Sequence, residues 1–200
     1  MNRLILAGVI LIITALLVGC LHTLNERPIP PRTVYVEMNG LMTTESVSDI
    51  VKDLREADSN IIIIIAIQSP GGQIVALERL LYAYDHTKAR DVIVEVNECA
   101  ASAAAMFVEH VKHRKISPYS MLLYHQAKSC NGNVEDPKTV CTLIDTNSTD
   151  IFDRGTIALE KKMFAELMQQ HILTEAEMAL VMSGADVTIT GEQFNKRTGA

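Results

Sequence analysis

The chain reads as an α/β protein built on a parallel sheet. Residues 61–67 are isoleucine at every position but Ala66, an unbroken apolar run of strand length. Such a run suits a strand covered on both faces, as in a parallel sheet, and not one with an alternating wet face. The flanking stretches carry apolar residues at helical spacing: Val47, Ile50, Val51 and Leu54 before it, and Ile74, Leu77, Leu81 and Tyr84 after it. A second β-rich run, Val92 to Val96, comes next. Strand, helix, strand and helix thus alternate, the pattern of right-handed βαβ units.

The amino terminus is different in kind. Met1-Asn2-Arg3 gives a positive start, and Leu4 to Leu21 is then apolar apart from Thr14. Leu17-Val18-Gly19-Cys20 closes the run and resembles a bacterial lipobox, in which the cysteine becomes the lipidated new amino terminus. Two alternatives stand beside this: an uncleaved membrane anchor, since about 18 apolar residues approach the length of a span, and a buried core helix. Either of the first two readings puts the body outside the cytoplasm at a membrane surface. Residues 1–20 are therefore read as signal or anchor, 21–32 as a proline-containing tether, and 33–200 as the functional domain.

Elements follow in order. Val34-Tyr35-Val36 is a short strand ending at the turn pair Asn39-Gly40. Thr43 or Thr44 can cap the helix that Val47 begins. Ser69-Pro70-Gly71-Gly72 breaks the isoleucine strand, because proline and paired glycines permit backbone geometry closed to other residues. The helix after it ends near His86. After Val96 the residues turn small, with Ser102 set among five alanines, and a helix is expected from Ala101 to about His113. Ile116 marks a short strand broken by Ser117-Pro118, and Met121 to Tyr124 is another that delivers His125. Lys128 to Asp145 is a polar loop or ribbon. A long helix follows from Asp150, with Leu159, Met163 and Leu167 as its ridge. Thr174 with Glu177, and Thr190 with Gln193, have the spacing of capping boxes.

Composition narrows the function. A net charge of −6 without a long basic run gives nucleic-acid binding no support. The absence of Trp argues against stacking platforms. No metal site and no cofactor motif is read, and no GxxxxGK phosphate loop occurs.

The chemistry gathers at three strand ends: SPGG at 69–72, AAS at 100–102 and HQ at 125–126. A serine on a tight strand-to-helix turn sits at a helix N-terminus, where free N–H groups and the dipole favour an oxyanion. Taken singly, each has a plainer reading: a buried alanine-rich helix start, an ordinary turn, a structural histidine. In this order, from Thr33 to Gly199, they resemble the Clp protease proteolytic subunit (ClpP), a serine peptidase of the ClpP/crotonase fold. That resemblance implies repeated β-β-α spiral units with a protruding handle helix, here the one from Asp150, though a plain core helix would read the same. It implies Ser102 as nucleophile, His125 as base, and the backbone N–H groups of Gly72 and Ala103 as the oxyanion hole. By position before the last helix, Asp186 matches the triad carboxylate; otherwise it is a turn residue after Gly184. The family pattern is broken at Ala103 and Ala104 after the serine, and at Ala127, where proline is usual.

The implied activity is a serine endopeptidase acting on peptides or unfolded segments, as a membrane-attached homo-oligomer. A crotonase-like acyl-CoA enzyme and a catalytically inactive scaffold are the alternatives. The Ser–Lys dyad of signal peptide peptidase A has no obvious lysine here. Cys130 and Cys141 can pair in an oxidising compartment or remain two thiols. Cys99, beside the nucleophile, is expected to be reduced and buried. His86, His110, His113 and His171 are expected at the surface.

Overall fold

The computed structural model describes residues 30–132 and 138–199; the lipobox reading of Cys20 and the anchor reading of residues 1–20 fall outside them. The described elements are mixed α/β with a mostly parallel sheet. Strands β1 (Arg32–Asn39), β2 (Ile61–Ser69) and β3 (Asp91–Ala101) lie side by side in parallel. β3 then splits its pairing, with β4 (His113–Ile116) along its first half and β5 (Met121–Tyr124) along its last residues, both parallel. β8 (Val187–Thr190) closes the row antiparallel to β5. The crossovers are α1 (Ser48–Glu56), α2 (Ile74–Asp85) and α3 (Ala103–His110). Among the described residues no helix is long and apolar enough to cross a membrane.

The isoleucine strand is fully sealed on one face and incompletely on the other. Ile63, Ile65 and Ile67 are buried on the first, while on the second Ile64 is buried but Ile62 and Ala66 stay partly open. On that face Tyr35 is exposed beside Ile64, and Glu95 pairs with Lys115 at 2.9 Å. Continuous hydrophobicity thus overstated the burial.

Two boundaries moved for physical reasons. The strand carrying the site continues to Ala101, because Cys99, Ala100 and Ala101 pair with Met121, Leu122 and Leu123. Cross-strand pairing overrides alanine's preference for helix, so α3 begins at Ala103. α1 begins at Ser48 after Val47 with no side-chain cap. Thr43 serves a local turn, its Oγ1 accepting the Ser46 N–H at 3.1 Å.

The polar ribbon is a hairpin of β6 (Lys128–Cys130) and β7 (Cys141–Leu143), in which Cys130 and Cys141 are register partners joined by a disulfide. Closing its 11-residue separation contributes about 3 kcal/mol in the chain-entropy model. α4 (Ile151–Gln169) is capped by Asp150, which accepts the Phe152 and Asp153 N–H groups. It buries Ile157, Met163, Phe164 and Leu167. α5 (Glu175–Met182) and α6 (Gly191–Thr198) both start with complete capping boxes, at Thr174 and Thr190.

Candidate active site

The C-terminal ends of β2, β3 and β5 converge on one cavity of about 750 Å³, lined among others by Gly72, Ser102, His125, Lys128 and the disulfide cysteines. Strand ends of a parallel sheet are where such chemistry collects, because chain reversals bring short loops together there.

Ser102 stands at the turn from β3 into α3 with φ 53° and ψ −127°. A positive φ is costly for a residue with a Cβ, on the order of 1–3 kcal/mol. The neighbourhood enforces it. The Ser102 N–H donates to Leu123 O at 2.8 Å, and Ala100, Ala103, Ala104 and Ala105 are fully buried around it. Gly71 presses on the turn from the other side: a Cβ there would stand 2.5 Å from Ala101 O and 2.7 Å from Ser102 Cβ. The alanines and the glycine pair are thus two halves of one close approach.

Ser69 has a separate duty. Fully buried, it donates from Oγ to Gly40 O at 2.7 Å and accepts the Gly71 N–H at 3.1 Å. Gly71 O accepts the Met42 N–H and Met42 O accepts the Gln73 N–H, so the turn is pinned on both sides of Gly72. Among the described residues, the Gly72 N–H has no partner. The Ala103 N–H, at the start of α3, likewise has none. One unspent donor therefore follows the serine in the chain, and the other shares its cavity.

His125 lies on the same cavity, carried on the end of β5. Its Nδ1 is 2.6 Å from Gln126 O. A carbonyl only accepts, so Nδ1 carries the hydrogen and Nε2 is left as the acceptor, the tautomer a general base needs. No hydrogen bond joins Ser102 Oγ to His125 among the described residues; such bonds tighten when substrate is bound.

Asp186 is not joined to His125. The antiparallel register pairs Tyr124 with Val187, so the next position along would set Asp186 across from His125. Its side chain is nonetheless 56% exposed and stands 3.8 Å from Lys128 Nζ. A carboxylate from another element approaches instead: Glu160 on α4 accepts the Ala127 N–H. Glu160 escaped the sequence reading, although a charged residue three positions after Ile157 and four before Phe164, on the buried side of α4, is itself a signal.

Cys99 is free and only partly buried. Among the described residues, no group of three His, Cys, Asp or Glu side chains is arranged to hold a metal ion.

At the other end of α3 from Ser102 lies a polar cluster that the sequence did not reveal. His110 is not a surface residue: 14% of its side chain is exposed, and it bridges Asp85 at 2.8 Å and Glu166 at 3.1 Å, tying α2, α3 and α4. Beside it Glu109 is buried, with both carboxyl oxygens unpartnered among the described residues. Burial, reinforced by Glu166 and opposed by Arg114, pushes its carboxyl well above the ordinary value of 4.5. A proton held by the folded state and released by the unfolded one stabilises at low pH. That contribution is present below 4.5 and is lost as pH rises through the folded value. Urea unfolding over a pH series should show this decline, with a slope of up to about 1.4 kcal/mol per pH unit from one proton. Glu109→Gln should remove that part of the slope.

No protein-family model matches the chain. No curated protein matches it either.

Proposed function

We propose that the chain is a serine endopeptidase of the ClpP/crotonase fold, cleaving peptides or unfolded protein segments through an acyl-enzyme. The observation that carries this reading is Ser102, held at φ 53° on a strand-to-helix turn, next to Ala103 with its unspent N–H and on one cavity with Gly72 and His125. Strain of this kind persists where the surroundings over-determine it, and it clusters at active sites.

Each residue has a role. His125 Nε2 takes the Ser102 Oγ proton as Oγ bonds to the scissile carbonyl carbon. The carbonyl electrons move onto oxygen, which the Gly72 and Ala103 N–H groups receive. The imidazolium returns its proton to the departing amine as the C–N bond breaks. Water then repeats the sequence on the ester and frees Ser102. Removing one such oxyanion donor typically costs on the order of a hundredfold or more. A crotonase-like acyl-CoA enzyme would use the same two donors for a thioester enolate but has no use for a strained serine and a histidine on one cavity.

The disulfide supports an oxidising compartment, in keeping with export by residues 1–20 and attachment to a membrane. Self-association through α4, the counterpart of the handle, is supported by Ile151 and Phe152 at its head, 78% and 82% exposed. On the far side of a membrane no ATP-driven unfoldase would feed the site. The full chain, solubilised in detergent, should therefore digest casein and short peptides without ATP and leave stably folded proteins intact. Degradation of a folded substrate only with ATP and a cytosolic unfoldase would overturn the export reading.

A further inference from the structure

We infer that Glu160 of α4, and not Asp186, is the carboxylate that positions His125 and balances its charge. The inference rests on the peptidase reading for its consequence, but its geometry stands independently.

The segment His125-Gln126-Ala127 is braced at two points. The Gln126 carbonyl accepts from His125 Nδ1 at 2.6 Å, and the Ala127 N–H donates to Glu160 Oε1 at 2.5 Å. One peptide unit thus separates the ring's own tie from the carboxylate's tie. Glu160 is fixed in turn by α4, whose Ile157, Phe164 and Leu167 are buried in the body of the fold. A tautomer normally set by a triad carboxylate is here set by a backbone carbonyl. What remains for a carboxylate is to hold that carbonyl in place and to offset the positive ring.

Among the described residues, Glu160 on α4 interacts electrostatically with His125, Lys128 on β6 lines the same cavity, and the β5–β8 register sets Asp186 across from the ring's residue. Asp186 shares its charge with Lys128 and is more than half in water, so its field at the ring is screened. Glu160 is partly buried and screened less. Burial raises its carboxyl, while the Ala127 N–H and the nearby His125 both favour the ionised form. Glu160 and His125 are thus close enough for their charges to interact.

The test uses the full chain as Glu160→Gln, Glu160→Asp and Asp186→Asn. Glutamine keeps an acceptor for the Ala127 N–H and removes only the charge. Two readouts are needed: the pH dependence of kcat and KM on a short peptide, and the titration of the His125 ring by NMR. Glu160→Gln should lower kcat about tenfold or more with little change in KM. It should also move both the acidic limb of the rate profile and the ring titration to lower pH. Asp186→Asn should leave kcat within about threefold and the titration in place, the difference expected between a buried and a solvated charge. Glu160→Asp, which keeps the charge, should titrate like the wild type. A ring titration that moves in Asp186→Asn and not in Glu160→Gln overturns the assignment, as does one that moves equally in both. Should the wild type hydrolyse nothing, the peptidase reading fails, and the ring titration still decides whether Glu160 is the partner.

Discussion

Ser102→Ala should keep the fold and lose hydrolysis by about 10⁴-fold or more, the scale seen when a serine nucleophile is removed from a working triad. The residual rate would come from the Gly72 and Ala103 donors and from binding, which alanine leaves intact. A companion variant separates chemistry from structure. Ser102→Gly deletes the same hydroxyl but also removes the Cβ that makes φ 53° costly. It should be equally inactive and more stable than the wild type by about 1 kcal/mol, after glycine's greater freedom in the unfolded chain is set against the strain relieved. Urea unfolding of both variants beside a peptide assay checks this. A nucleophile position that gains stability on losing function is expected where strain serves chemistry. Unchanged hydrolysis in Ser102→Ala would remove the whole site assignment.

Gly71→Ala should damage the fold and the candidate site together. The added Cβ meets Ala101 O at 2.5 Å and Ser102 Cβ at 2.7 Å, both on the strand-to-helix turn, and the residue sits at φ 88°. Backbone on one side and the nucleophile on the other leave nothing flexible to yield. The expected cost is about 2–4 kcal/mol of stability. The displaced serine should lower kcat/KM by about a hundredfold, since catalysis tolerates little misplacement of its reacting atoms. Gly40→Ala is the control: φ is 78° there too, but no atom lies within 4 Å of the new Cβ. It should cost only the backbone strain, about 1 kcal/mol, with hydrolysis nearly unchanged. Equal losses of activity in the two variants would mean that the close approach of Gly71 to Ser102 is not what shapes the site.

What was legible in the sequence follows from what each pattern measures. Apolar periodicity reports burial within one element, so α1, α2 and the β2 strand could be read directly. Capping boxes are local chemistry, and those at Thr174 and Thr190 form in full. The three strand ends could be named only from their order along the chain, since each alone has a plainer reading. Register and tertiary pairing left weaker marks. β3 runs on to Ala101 because β5 pairs with it, which no local rule announces. The relation between His125 and Glu160 joins residues 35 positions apart through Ala127 and could not be read from spacing. The side chain of Asp186 turns toward Lys128, a choice that sequence position does not encode. His110 differs from its expected surface position because a histidine at the end of a short helix looks solvated until Asp85 and Glu166 are brought around it.

The most direct measurement is reaction of the full chain with a fluorophosphonate probe, followed by peptide mapping of the adduct. Such a probe phosphonylates a serine only when a base and an oxyanion pocket act on it together. One adduct, on Ser102, slowed strongly in His125→Ala and absent in Ser102→Ala, is the predicted result. A folded protein that takes no label, or takes it on another serine, would contradict the account.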